Sequence, residues 1–182
     1  NRTARFLRPV APAEHLFRRA AIDLAKQHLF ARQFVNTGRM AVANSYTQSS
    51  ACDSTGGLSV QNVGFRWADG SPGLVNELLQ WADGRLLVLV FGSFSAASLQ
   101  RLRALCAHAP VRAVQALGAD GPAGALEHVR DPQGHLQGAC HVFGHAWALV
   151  RPDAYVAATG ESIDASLVHA VARALGTVEE TA

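Results

Sequence analysis

The pattern of apolar and polar residues divides the chain into a helical start, a polar middle and a mixed second half. From about Ala13 to Phe34, residues suited to burial follow one face of an α-helix, at Leu16, Phe17, Ala20, Ala21, Leu24, His28 and Ala31. The stretch from Asn44 to Gly57 is rich in Ser, Thr, Gln, Asn, Asp and Gly, which predicts an irregular connector. We therefore expect a helical extension over 1–43, a linker over 44–62, a second domain over 63–178 and a tail over 179–182.

The first half of the second domain predicts a helix followed by a βαβ unit. Ser71 and Pro72 are typical of a helix start, and Asp83-Gly84 is expected to end that helix. The continuous apolar run Leu86–Phe91 predicts a central strand covered on both faces. A helix over 95–108 and a strand over 111–117 then complete a unit in which the two strands are parallel.

The end of the chain predicts a hairpin and a last helix. Residues 146–150 and 154–157 read as strands around the turn 151–153. A helix is expected from near Ser162, where apolar residues recur every four positions at Ile163, Leu167, Val171 and Leu175. The order β-α-β followed by β-β-α predicts an α/β thioredoxin-like domain, a central mixed sheet flanked by helices, after an N-terminal helical extension.

Composition and charge restrict the partners of the chain. Of its 182 residues 49% are hydrophobic and 16% charged, which is typical of a globular protein. The formal net charge is +2 and the arginines are scattered, so we expect no nucleic-acid partner. No apolar run reaches the roughly 20 residues that span a bilayer, so no membrane partner is expected either. Cys52, Cys106 and Cys140 form no C-x-x-C pair, which favours a reducing cytoplasm.

Three sequence segments carry a resemblance to a known enzyme family. They are residues 147–157, W-A-L-V-R-P-D-A-Y-V-A, residues 30–40, F-A-R-Q-F-V-N-T-G-R-M, and residues 84–92, G-R-L-L-V-L-V-F-G. The first resembles the signature L-V-R-P-D-G-Y-V-A of the class A FAD-dependent aromatic hydroxylases, with Ala154 in place of glycine. This family includes phenol and 3-(3-hydroxyphenyl)propionate hydroxylases. The second segment is similar to the stretch that follows the substrate domain of the family, and the third to its first thioredoxin-like strand.

The resemblance implies that this chain is the carboxy-terminal part of an FAD- and NAD(P)H-dependent monooxygenase. Its partners would be the upstream FAD and substrate domains of the same polypeptide, with homo-oligomer contacts in addition. The start at Asn1, without a methionine, agrees with an expected upstream part. FAD and NAD(P)H would belong to the full-length parent and not to this chain. Gly118, Gly121 and Gly124 lack the G-x-G-x-x-G spacing that binds a pyrophosphate.

The residues that could carry chemistry are interpreted here as structural. An active thioredoxin has two cysteines after its first central strand, whereas this chain has serines there, with Ser93 in a loop and Ser95 as a helix cap. Segment 135–145 contains His135, Cys140, His141 and His145, of which His141 and His145 would share a face if helical, but its spacing is not that of a zinc site. We expect core or interface positions for Cys106, Trp67, Trp81 and Trp147, and local pairing of Arg151 with Asp153.

We therefore predict no catalytic, cofactor-binding or metal-binding residues, and a structural or oligomer-supporting role for this chain. Two alternatives remain open from the residues. One is a free-standing thiol peroxidase or disulfide reductase that uses Cys106 or Cys140, for which a lowered thiol pKa would be needed. The other is a non-enzymatic binding module that has the thioredoxin fold.

Overall fold

A computed structural model describes residues 6, 8–28, 44–122, 124 and 126–177. The chain divides into two compact units, Asn1–Ala43 and Asn44–Ala182. In the first unit, helix α1 spans Pro12–Gln27 and His28 is already extended. The helix thus ends before the predicted Phe34. No glycine or proline marks this end, so the sequence pattern did not locate it. Residues 29–43, which include the resemblance at 30–40, lie outside the described residues.

The second unit contains a seven-stranded mixed sheet in the order β2-β1-β5-β4-β3-β6-β7. Its elements are β1 Gly64–Trp67, β2 Pro72–Leu74, α2 Val75–Ala82, β3 Leu86–Phe91, α3 Ala96–His108, β4 Val111–Leu117, β5 His128–Arg130, α4 His135–Ala139, β6 Trp147–Val150, β7 Val156–Gly160 and α5 Ala165–Ala174. Strand β4 is parallel to both β3 and β5, and the other pairs are antiparallel. The predicted thioredoxin-like α/β fold is confirmed.

The sheet buries both of its faces, as the apolar run of β3 predicts. All six residues of β3 are buried. Leu87 and Leu89 belong to a core cluster with residues of α2 and α4. Val88 and Val90 belong to a second cluster with residues of α3 and α5. The result is a three-layer arrangement, and the ends of β3 and β4 are the places where loops can build a site.

The predicted helix start at Ser71-Pro72 is wrong, because these residues enter a strand. Pro72–Leu74 pairs antiparallel with β1, with Phe65 opposite Gly73. The carboxylate of Asp69 accepts the backbone N–H of Ser71 at 2.9 Å, which stabilises the turn between the two strands. Helix α2 begins at Val75 instead, and the side-chain oxygen of Asn62 accepts the N–H of Asn76 at 3.0 Å.

Two further boundaries differ from the sequence pattern. Strand β7 begins at Val156 rather than at residue 154, because Ala154 adopts a left-handed backbone conformation, with φ of 65°, in the turn. Helix α5 begins at Ala165 rather than near Ser162, and Asp164 is its cap, accepting the N–H of Ser166 at 2.8 Å.

The segment 44–62, predicted as a linker, belongs to the second unit, where it runs beside β7. The N–H of Gly57 donates to the carbonyl of Val156 at 2.7 Å, and the N–H of Val156 donates back to Leu58 at 2.9 Å. Farther along, Val60 donates to the carbonyl of Ala154 at 2.8 Å. The chain there is irregular, yet it provides the hydrogen-bond partners for the outer edge of β7.

Within the described part of the chain, no helix is both long enough and apolar enough to cross a bilayer.

Candidate functional site

The loop after β3 occupies the place where a thioredoxin carries its cysteines. β3 ends at Phe91, Gly92 has a φ of 73°, and α3 begins at Ala96. The hydroxyl oxygen of Ser95 accepts the N–H of Ser98 at 3.1 Å and lies 3.1 Å from the hydroxyl of Ser98. Ser95 therefore acts as the helix cap that the sequence predicts. Segment 92–98 contains no sulfur, so dithiol exchange has no reactive group at this position.

Gln115 lies beneath this loop, and sequence reasoning did not identify it. Its side-chain Nε2 donates to the carbonyl of Gly92 at 2.8 Å, which ties the loop to β4. Its Oε1 is buried and has no hydrogen-bond partner in the described structure. A single glutamine within the apolar strand V-R-A-V-Q-A-L was the available signal, because buried polar groups in a strand need a partner.

The glycine-rich loop after β4 directs carbonyl groups towards the side chain of Arg130. The guanidinium of Arg130 donates to the carbonyls of Gly118 at 3.2 Å and Ala119 at 3.4 Å, and also to that of Gly121. A phosphate group needs converging N–H donors instead. This loop therefore does not fit the pyrophosphate of FAD, and no step involving a flavin can be assigned to it.

A small cavity of about 160 Å³ lies at the carboxyl ends of β3 and β4. Gly92, Gly118, Asp131 and Gln137 are among the residues that line it. The buried carboxylate of Asp131 accepts the N–H groups of His135 at 2.9 Å and Leu136 at 2.8 Å. This carboxylate thus begins helix α4, and its hydrogen bonds are structural.

The three cysteines lie apart and are shielded from solvent to different degrees. Cys52, which the sequence places in a polar linker, is buried, with its Sγ 3.8 Å from the carbonyl oxygen of Val156. Burial raises the pKa of the Cys140 thiol to about 12 and also raises the pKa of the half-buried Cys106. The thiolate is the reactive form, so Cys106 and Cys140 are poor nucleophiles at neutral pH. This finding disfavours a thiol peroxidase or reductase.

The histidines of segment 135–145 do not share a helix face, because α4 ends at Ala139. His141 has a left-handed backbone, with φ of 58°, and its Nε2 lies 3.2 Å from the carbonyl oxygen of Ser59. The Nδ1 of His145 lies 2.6 Å from the hydroxyl of Thr159. Among the described residues, no group of three or more His, Cys, Asp or Glu side chains is placed to hold a metal ion.

The tryptophans and the hairpin turn have structural contacts. Trp147 is 1% exposed, and its Nε1 donates to the carbonyl of Ser162 at 2.7 Å. Trp67 and Trp81 are half-buried against the core cluster of α2 and α4. In the turn, Arg151 pairs with Asp153 at 2.7 Å.

Comparison with known proteins gives a likeness at the level of the fold. No family model matches the chain, and no curated protein matches it. Aklavinone-11 hydroxylase, solved with FAD and aklavinone, is 24% identical over 66% of this chain and 21% of its own, with a TM-score of 0.48. The OxyS anhydrotetracycline hydroxylase from Streptomyces rimosus is 20% identical over 89% of this chain and 29% of its own, with a TM-score of 0.48.

A thioredoxin-like protein from Porphyromonas gingivalis is 16% identical over 76% of this chain and 99% of its own, with a TM-score of 0.49. This chain therefore spans less than a third of the two hydroxylases but nearly all of the small thioredoxin-like protein.

Proposed function

We propose that this chain is the thioredoxin-like carboxy-terminal part of an FAD- and NAD(P)H-dependent aromatic-ring monooxygenase, in which its role is structural. Flavin chemistry would take place in the upstream domains of the same polypeptide. Among the described residues, burial raises the pKa values of the Cys106 and Cys140 thiols, and no group of side chains is placed to hold a metal ion. The loop after β4 directs carbonyls and not N–H groups towards Arg130, which also supports a structural role.

The observation that carries this proposal is the conformation of the hairpin Leu149–Ala157. Its sequence resembles the L-V-R-P-D-G-Y-V-A signature at every position except Ala154. Ala154 has a φ of 65°, a conformation that glycine adopts without strain. The backbone at residue 154 thus has the left-handed conformation that favours glycine, the residue that the family signature has at this position. This agreement supports the relation of the hairpin to the signature.

Helix α1 supports the proposed structural role, because three of its large apolar side chains are exposed. Leu16 is 73% exposed, Phe17 65% and Leu24 40%. An amphipathic helix of this kind is stabilised by burying its apolar side against another surface. We assign that surface to the upstream FAD and substrate domains, with homo-oligomer contacts as a further use. A cytoplasmic location belongs to the same proposal.

The first test is the natural gene product. Its intact mass should exceed that of this chain by at least the mass of a flavin domain. The purified protein should contain FAD and should oxidise NAD(P)H in the presence of a phenolic substrate. A natural polypeptide that is no longer than this chain would refute the proposal, as would a longer one without flavin.

The second test concerns α1 in the full-length protein. Replacing both Leu16 and Phe17 with serine should lower the melting temperature of the full-length protein, because the helix then loses apolar contact with the upstream domains. Arg19→Ser, on the same exposed helix, is the matched control and should have little effect. In the isolated 182-residue chain both variants should melt like the parent sequence. Equal melting of all three full-length proteins would contradict the assignment.

A further inference from the structure

A second cavity, of about 480 Å³, lies beside the amino-terminal half of β4, away from the loop that corresponds to a thioredoxin active site. Strand β5 pairs with β4 only at Gln115–Leu117, so the earlier residues of β4 are not covered by it. Val111, Arg112 and Ala113 line the cavity there. Its size is within the range of small-molecule binding sites, which is about 300–1,000 Å³.

Positive charge is concentrated around this cavity. Arg85, Arg103 and Arg112 line it together with one acidic residue, Glu127, which leaves a local net charge of +2. The ion pairs found among the described residues, Lys26–Asp23 and Arg151–Asp153, involve neither Arg85 nor Arg112. The positive charge of Arg85 and Arg112 is thus not neutralised by a direct ion pair in this lining, and an anion bound beside them would be attracted to both.

Arg112 is held in position before any ligand arrives. One of its guanidinium nitrogens donates to the carbonyl of Trp81 at 2.6 Å, and the guanidinium carbon lies 4.8 Å from the centre of the Trp81 ring. These contacts fix the side chain while leaving other N–H donors of the guanidinium available. A fixed donor loses little conformational entropy on binding, which favours affinity.

The remaining lining is apolar. Val111 and Ala113 are buried at the edge of β4, and Leu126 and the thiol of Cys106 are half-buried beside them. Cys106 is one turn from Arg103 on α3, so both reach the same cavity. Leu126 and Cys106 therefore provide the apolar surface that a ligand with an apolar body would remove from water here, while its charged end meets the arginines.

We propose that this cavity binds a small organic anion, with a carboxylate held by Arg85 and Arg112 and an apolar body against Leu126 and Cys106. A planar carboxylate matches the donor fork of a guanidinium and accepts two parallel hydrogen bonds from it. The proposal is independent of the hydroxylase assignment, since it depends only on the lining of this cavity.

The test is a calorimetric titration of the 182-residue chain with 2-naphthoate, its neutral analogue 2-naphthamide, and inorganic phosphate. We expect saturable binding of one 2-naphthoate per chain. Binding of 2-naphthamide and of phosphate should each be at least about tenfold weaker, because 2-naphthamide lacks the negative charge and phosphate lacks the apolar body. Arg85→Gln and Arg112→Gln should each weaken 2-naphthoate binding about tenfold. Arg173→Gln, at an exposed position of α5, is the matched control and should bind normally.

A second readout locates the ligand. Cys106 is half-buried whereas Cys52 and Cys140 are buried, so Cys106 is the thiol that iodoacetamide should reach in the folded chain. At about three times the Kd of the parent chain, 2-naphthoate should slow the alkylation of Cys106 several-fold, and Arg85→Gln should remove most of that protection at the same concentration. The proposal is overturned if 2-naphthoate does not bind at ~1 mM, if phosphate or 2-naphthamide binds as tightly, if Arg85→Gln leaves affinity unchanged, or if Cys106 is not protected.

Discussion

Replacing Ala154 with glycine should stabilise the domain, because Ala154 adopts a left-handed conformation between β6 and β7. Its φ is 65°, and its N–H donates to the carbonyl of Arg151 at 3.0 Å, which closes the turn. Its own carbonyl accepts the N–H of Val60 at 2.8 Å. These hydrogen bonds hold the backbone in the left-handed region although an alanine side chain disfavours it.

The size of the effect follows from two opposing terms. A left-handed conformation costs a residue with a side chain about 1–2 kcal/mol, and glycine removes that cost. Glycine also gives the unfolded chain more freedom, which destabilises the fold by about 0.4–1 kcal/mol. The net gain in the free energy of unfolding should be about 0.5–1 kcal/mol, or roughly 2–4 °C in Tm for a domain of this size.

The assay is thermal and urea unfolding of the 182-residue chain and its Ala154→Gly variant. The control is Ala68→Gly, at an exposed turn position whose φ is not positive. At this position glycine relieves no backbone strain and only increases the freedom of the unfolded chain. This variant should therefore be destabilised by about a few tenths of a kcal/mol. If Ala154→Gly fails to raise Tm, or if Ala68→Gly raises it equally, the strain at Ala154 is not the controlling term.

Three further outcomes are expected. The isolated chain, expressed with excess FAD, should show no bound-flavin absorbance, because its glycine-rich loop presents carbonyls and not N–H groups; a stoichiometric flavin spectrum would contradict this. Replacing all three cysteines with alanine should leave the fold intact, at about 1 kcal/mol for each buried thiol, and in the full-length parent should leave NAD(P)H-dependent hydroxylation unchanged; loss of turnover with normal fold and flavin content would make one thiol catalytic. Hydrogen bonds from Ser162 and Ser166 lower the pKa of the Asp164 carboxyl to about 2, so its stabilising effect should be fully present above pH ~4 and lost as pH falls towards 2. In acid titrations of stability, Asp164→Asn should lack that part of the pH dependence, and identical profiles would refute the assignment.

Periodicity predicted the elements whose apolar pattern is strong and locally bounded. Leu86–Phe91 and Val111–Leu117 agree with β3 and β4 at both ends. The first is a continuous apolar run and the second is mostly apolar, and clear turn and helix signals bound both segments. Pro72–Leu74 was misread as a helix start because its strand partner, β1, lies earlier in the chain. Pairing between separated segments leaves little trace in local sequence.

The candidate sites were predictable only in part. The serine loop after β3 was located from its place after an apolar strand, and the Ser95 cap from its residue type. The cavity at Arg85, Arg103 and Arg112 was not located from the sequence, because these arginines lie in three separate segments of the chain and their spacing forms no motif. Convergence of this kind depends on the tertiary fold, which composition and spacing do not encode locally.

The path of segment 44–62 beside β7 limits where the domain can be truncated and whether another strand can add to the edge of its sheet. A fragment that started at Val63 would lack the residues that bond to Val156 and Ala154, and would leave the last strand with open N–H and C=O groups. Open strand edges template pairing with other chains. At the opposite end of the sheet, β2 is three residues long and carries Pro72, which cannot donate to a neighbour. Lateral addition of a strand from another chain is therefore disfavoured at both edges of this sheet.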